Sequence, residues 1–335
     1  MRFLGTTRIG LGSTAAHGGP GRVMLRRDVS RRSWTLLLIV AGVWGGSFML
    51  TAIAIRDLSV PVVALFRTGV GALVLLPIAL RRGALADLRG QLWPVFLLGV
   101  VQLAAPFLLL GYGQRSVPSG LAGILVSSMP LWTALLAVWI DHEERTRGRG
   151  LLGLAVGIVG VALLCGLELS GNRDTLLGAA MLLLGALSYA LGGFLGKHRL
   201  RGMSPVGAIT GAMVGGSVAL APSALATLPD HAPALGPLAA AIALGSISGG
   251  FGWLLYYTVV AESGPAKAAV SLYLVPAFAV LYGALLLGEP LTTAGIAGLA
   301  LVVSGSWLAA SQRPPDSPPT EPQQSPRSAS VAGDR

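Results

Sequence analysis

Residues 275–305 read VPAFAVLYGALLLGEPLTTAGIAGLALVVSG, and residues 129–160 read MPLWTALLAVWIDHEERTRGRGLLGLAVGIVG, an earlier copy in outline. Pro130 precedes Glu143 by 13 residues, and Pro276 precedes Glu289 by 13. Gly153-Leu154-Ala155 and Gly160 then match Gly298-Leu299-Ala300 and Gly305, after one extra residue in the first copy's loop. An internal repeat of roughly 145 residues in a chain this apolar points to a duplicated membrane unit. Earlier matches are fainter: Trp44 with Pro61 corresponds to Tyr189 with Pro205.

The chain around these copies is built for lipid. Of 335 residues, 53% are hydrophobic and 11% charged, with a mean hydropathy of +0.72, whereas roughly a quarter of a soluble domain is charged. Ten apolar runs are long enough to cross a hydrocarbon layer of about 30 Å as helices. They cover residues 34–55, 60–80, 92–111, 119–140, 151–167, 175–195, 205–225, 238–259, 265–287 and 293–310. Continuous runs of this length exclude a transmembrane barrel, whose strands alternate over about ten residues. The predicted fold is all-α and integral to the membrane, with ten transmembrane helices in two inverted five-helix repeats, 34–168 and 175–310. Residues 1–33 and 311–335 read as disordered tails, the first basic and the second rich in Pro and Ser. No secretory signal is evident, and Met24 is an alternative start. The lone Cys165 has no partner for an internal disulfide.

The net charge of +10 marks topology rather than nucleic acid. With a cytoplasmic N-terminus, ten basic residues fall on cytoplasmic loops and helix ends: Arg81, Arg82, Arg89, Arg145, Arg147, Arg149, Lys197, Arg199, Arg201 and Lys267. Only Arg56, Arg115 and Arg173 fall opposite. That is the positive-inside bias, and it places both termini in the cytoplasm of a cell whose inner membrane holds the chain. Five spans per repeat is an odd number, so the second copy enters the bilayer upside down. The loop charges agree, since three arginines surround Glu143 and no Lys or Arg surrounds Glu289. Inverted repeats serve carriers, because two pseudo-symmetric halves can exchange shapes around one site.

Several stretches together resemble the drug/metabolite transporter superfamily, in its ten-helix EamA-type branch. They are GPAKAAVSLYLVPAFAVLYGALLLGEPLTTAGIAGLALVVSG at 264–305, the first copy with Glu144-Arg145-Thr146 in its loop, and Trp44-Gly45-Gly46-Ser47-Phe48 followed by Pro61 and Arg67. The resemblance covers residues 34–310. It implies two inverted five-helix bundles around a central cavity, and export or exchange of small organic metabolites such as amino acids. Asp141-His142-Glu143-Glu144 departs from the family's simpler loop ending, leaving open which glutamate corresponds to Glu289.

Arg67 is the sharpest individual signal, because an arginine about seven residues into a span is expensive unless it faces a cavity or a polar partner. It is a candidate handle for a carboxylate or phosphate; the competing reading is snorkelling to the interface. Trp253, Tyr256 and Tyr257 share one helix face by their i, i+3, i+4 spacing, while Trp44, Tyr189 and Tyr273 lie inside other spans. These aromatics are candidate pocket walls, with helix packing as the alternative. Pro130 and Pro276 are candidate hinges, since proline removes a backbone donor. Gly153/Gly157, Gly192/Gly196 and Gly211/Gly215 allow close helix approach within one bundle.

All 14 acidic residues and four histidines fall in tails, loops or helix ends, so no intramembrane proton carrier is visible. The glutamates Glu143, Glu144 and Glu289 read as helix-end fixtures. The site is expected between the halves, from the first, second, sixth, eighth and ninth spans. The expected partners are a small-molecule solute and the lipid bilayer, with no nucleic acid, no cofactor and no metal. A monomer suffices for this machine and a dimer is compatible with it. Efflux of amino acids or related metabolites competes with import of nucleoside-like or sugar-like solutes. A membrane-embedded enzyme on lipid-linked substrates would need clustered carboxylates, histidines or a nucleophile that the spans lack.

Overall fold

The computed structural model describes residues 31–140, 148–167 and 172–310. The tails, Met24, the loop holding Asp141 to Arg147, and the side chain of Lys267 lie outside the described residues. Among the described residues, ten helices are long and apolar enough to span a membrane. They are α1 (Trp34–Ala54), α2 (Val60–Arg81), α3 (Leu92–Gly113), α4 (Ser119–Trp139), α5 (Arg149–Gly166), α6 (Arg173–Arg199), α7 (Pro205–Leu225), α8 (Leu235–Glu262), α9 (Ala268–Leu287) and α10 (Thr293–Ala310). Among the described residues there is no strand. Large apolar side chains such as Leu73, Trp139 and Leu285 stand exposed around the bundle, a surface that water would not tolerate and lipid does.

The halves interleave rather than standing side by side. Helix α1 packs on α8 and α9, and α6 packs on α3 and α4. Helix α2 packs on α7 and α8, and α7 on α3; α4 meets α9, and α5 meets α10. Replacing every helix by the one five places later returns the same set of pairs, as a pseudo-two-fold axis in the membrane plane requires.

The outermost pair, α5 and α10, shows why glycine recurs in the repeat. A Cβ on Gly305 would lie 2.6 Å from the Gly157 Cα, and one on Gly153 would lie 2.8 Å from the Gly305 carbonyl oxygen. Gly160 approaches Val302 in the same antiparallel crossing. Backbones this close gain packing that larger residues would block. Gly305→Leu is therefore expected to destabilise the bundle by about 1–3 kcal/mol through overpacking. Gly166→Leu, with open space around it, is expected to be neutral. Thermal unfolding of the two variants in detergent checks the difference.

Two spans contain π-helical turns, at Gly99–Ala104 in α3 and Leu244–Phe251 in α8. Ala105 N–H donates to the Val100 carbonyl and Gly252 N–H to the Ile247 carbonyl, five residues back in each case. The two stretches are about 145 residues apart, so the irregularity is part of the repeat. A π turn widens the helix and frees carbonyls that need other donors. The Trp44 indole N–H donates to the Ser248 carbonyl at 3.2 Å, and the Ser188 hydroxyl to the Val101 carbonyl at 2.7 Å. One contact is α1 on α8 and the other α6 on α3, so each half repairs the other's bulge.

The two repeat prolines behave differently. Helix α4 breaks at Ser127–Ser128, immediately before Pro130. The Ser127 and Ser128 hydroxyls donate back to the Ile124 and Leu125 carbonyls at 2.6 Å. The Ser306 hydroxyl of α10 donates to the Ser127 carbonyl at 3.2 Å. Pro276 instead sits inside an unbroken helix and is buried.

Loops are tied across the halves by carboxylates on backbone amides. Asp57, between α1 and α2, accepts from the Ala234 amide at 2.6 Å and from the His231 ring at 3.0 Å. Asp87 accepts from the Ser204 amide at 3.0 Å. The Ala234 amide first, and His231 second, hold the Asp57 carboxyl below its ordinary range. This tie is present at neutral pH and is lost only as the pH falls through that lowered pKa.

Candidate functional site

Between the halves lies a cavity of about 430 Å³, within the range of small-molecule sites. Its wall is drawn from α1 to α4 and from α6 to α9; α5 and α10 take no part. Sequence reasoning named α1, α2, α6, α8 and α9. It missed α3, α4 and α7, because which face of a uniformly apolar helix turns inward is decided by packing.

Six of the seven candidate side chains line this cavity: Trp44, Arg67, Tyr189, Trp253, Tyr256 and Tyr257. Tyr273, partly buried on α9, is not among the lining residues, while Leu272 and Val275 of the same helix are. Pro130 lines the cavity and Pro276 does not. Each proline denies a hydrogen bond to the carbonyl four residues earlier, on Val126 and Leu272, and both of those residues line the cavity.

The aromatic wall is continuous. Trp44 meets Trp253 edge-on with ring centres 5.3 Å apart and lies 5.2 Å from Tyr256. Trp253 lies 5.6 Å from Tyr257. The α8 face read from i, i+3, i+4 spacing is thus assembled with an α1 residue from the other half. Separations of this order are favourable for aromatic pairs, so the cluster holds its own shape and presents an apolar surface.

Arg67 of α2 lines the same cavity. Its guanidinium lies over the Phe107 ring at 4.0 Å, a cation–π contact that compensates part of its desolvation. Its Nη2 is 3.5 Å from the Ser47 hydroxyl, at the limit of a hydrogen bond. Its Nε is buried without a partner. Among the described residues no carboxylate pairs with it. The positive charge is therefore held in place but not neutralised. Phe107, Ser47, Gln102 and Ser248 also line the cavity; sequence named none of them as a site candidate, Ser47 standing only within the Trp44–Phe48 stretch. A phenylalanine or glutamine in an apolar run carries no signal until a neighbouring helix places a charge or a π turn beside it.

The two ends of the cavity differ. At one end the lining reaches Gly196 and Lys197 near the end of α6, and Ala208 near the start of α7. Toward the other end, α1, α4 and α9 close on one another. A Cβ on Gly45 would lie 2.8 Å from the Val275 carbonyl, and Gly123 abuts Ala279. Beyond this contact the Glu289 carboxylate accepts from the Ser119 and Gly120 amides, at 2.7 and 2.9 Å. These are the first amides of α4, whose orphan donors and positive dipole end favour an anion. Glu289 is a helix-end fixture, and the helix it caps belongs to the other half. Among the described residues no three His, Cys, Asp or Glu side chains converge as a metal site.

Known proteins match this architecture. The sequence model of the EamA-like transporter family matches residues 32–166 and again 176–311, once per repeat. An uncharacterized transporter of Archaeoglobus fulgidus is 26% identical over 286 residues, covering 84% of this chain and 100% of its own. A probable terminal-alkyne amino-acid exporter of Streptantibioticus cattleyicolor is 28% identical over 84% of this chain and 93% of its own. An uncharacterized inner membrane transporter of Escherichia coli K12 is 28% identical over 78% of this chain and 85% of its own. A solved crystal structure shares the fold with a TM-score of 0.61 at 21% identity, covering 84% of this chain and 98% of that one. With both halves matched, the chain belongs to the EamA-like transporter family and is a multi-pass inner-membrane transporter of small molecules, not an enzyme.

Proposed function

We propose that the protein exports amino acids or related small metabolites by alternating access, with the cavity between the halves as the solute site. The observation that carries this reading is the un-neutralised Arg67 guanidinium facing an aromatic wall inside that cavity. A carboxylate completes the charge of Arg67 with paired hydrogen bonds, and an apolar body covers Trp44, Trp253, Tyr256 and Tyr257. The exporter named among the relatives handles an amino acid, which supports the same solute class here.

Both termini are assigned to the cytoplasm from the loop charges. The Lys197 end of the cavity then faces the cytoplasm and the Glu289 end faces outward. This conformation is the one that loads a solute from inside. The working units are the repeats 34–168 and 175–310, with Pro130, at the broken turn of α4, as the more mobile of the two hinges. A monomer contains the whole site.

Purified protein in liposomes, assayed for counterflow of a metabolite panel, tests the proposal. Saturable counterflow of carboxylate-bearing solutes is expected. Folded protein that exchanges no member of the panel would defeat the reading.

A further inference from the structure

We infer that the cargo crosses as a net anion: a carboxylate whose amino group is masked or absent, rather than a free zwitterionic amino acid. The inference rests on the proposed carrier function and specifies which charge state the site accepts. Of the described residues lining the cavity, the titratable ones are Arg67, Lys197, Tyr189, Tyr256 and Tyr257; among the described residues the lining contains no aspartate, glutamate or histidine. An α-amino acid carries two charges of opposite sign close together. Arg67 receives the carboxylate, but no lining carboxylate is present to receive the ammonium, which would give up water for aromatic faces beside a fixed cation. Burying an ammonium without an anionic partner is costly.

Duplication has not supplied a counter-charge either. Offset by the Pro61–Pro205 spacing, the α7 position equivalent to Arg67 is Gly211, packed against Val95 and Leu88. The field in the cavity is therefore one-sided. The lining supplies neutral polar side chains that suit a masked amine: Ser47, Gln102 and Ser248. An amide N–H can be satisfied by a carboxamide or a hydroxyl at no charge cost. The aromatic cluster then covers the hydrophobic remainder of the solute.

A consequence follows for energetics. Among the described residues no lining carboxylate or histidine is placed to carry a proton through the cycle, so on this inference each turnover moves the charge of the solute alone. A membrane potential negative inside pushes an anion outward, which gives a passive carrier a direction.

The test uses wild-type protein in liposomes with N-acetyl-L-phenylalanine and L-phenylalanine, which share a carboxylate and a ring but carry net charges of −1 and 0. Protein-free vesicles correct for leakage. With valinomycin and potassium tenfold higher outside, the lumen is positive, and about tenfold accumulation of the acetylated probe is expected for one charge. Its counterflow is expected to be at least about tenfold faster than that of phenylalanine, since a buried polar group left without a partner costs about tenfold in binding and a charged one more. Accumulation is expected to persist when the pH gradient is inverted. Equal or faster movement of phenylalanine overturns the inference while leaving the carrier reading intact. Accumulation of the acetylated probe that follows the pH gradient instead of the potassium gradient also overturns it. If neither probe nor any member of the metabolite panel moves, both the inference and the carrier reading fall together.

Discussion

Replacing Arg67 with glutamine is expected to weaken the half-saturation concentration for a carboxylate solute by about 30-fold or more, with the protein still folded. The estimate follows from truncating one partner of a desolvated charge pair, which costs about 2–5 kcal/mol. Glutamine keeps a polar but shorter side chain, and loses both the charge and the fork that reach Ser47 and Phe107. Arg67→Lys is expected to recover part of the affinity, since lysine restores a point charge without the planar pair of donors. The residue is not a structural ion-pair partner, because no described carboxylate contacts it; its loss should spare the thermal transition. Half-saturation in the counterflow assay, beside thermal unfolding in detergent, separates the two roles. Unchanged affinity in the glutamine variant would remove the anion handle.

Glu289→Ala is expected to release the closed end of the cavity. The substitution strands the Ser119 and Gly120 amides, and charge-assisted hydrogen bonds contribute about 1.5–3 kcal/mol each. Water recovers part of that for amides near the surface, so a shift of about 1.4 kcal/mol is a conservative expectation, equivalent to about tenfold in the population open at that end. Labelling reads it directly. In a background with Cys165 replaced by alanine, a cysteine at Val126, which lines the cavity, is probed with a membrane-impermeant maleimide. Reagent from the Glu289 side should label it about tenfold faster in the alanine variant than in its parent, while reagent from the Lys197 side should label it more slowly. Glu289→Gln retains one acceptor oxygen and should fall between. Equal labelling in all three would show that the carboxylate does not hold the gate.

Much of the fold was legible because apolar length is a one-dimensional property. All ten spans could be counted from residue type, and no boundary moved by more than four residues. The repeat was legible for the same reason: Pro130, Gly153 and Gly160 recur in order as Pro276, Gly298 and Gly305. The lining of the candidate cavity was legible where a residue violates its surroundings. Arg67 is costly in a span wherever it points, and Trp253, Tyr256 and Tyr257 share a face by helical spacing alone. The π turns were not legible. Gly99 to Ala104 and Leu244 to Phe251 are compatible with a regular helix, and the wider turn is held by Trp44 and Ser188 from distant helices. Tyr273 is a pocket candidate by type alone, and it is Leu272 and Val275 of the same helix that line the cavity.

Sequence by itself determined the number of helices, their duplication and the odd count that inverts the second half, because each depends on the order of residues along the chain. Tertiary structure alone decided that the halves interleave, that Phe107 lies beneath Arg67, and that Glu289 caps a helix 169 residues away from it at Gly120. Those facts depend on which faces of nearly uniform apolar helices meet. In a bilayer, where lipid is as apolar as leucine, that choice rests on close glycine packing and a few polar contacts, both of which become visible only when the helices are assembled.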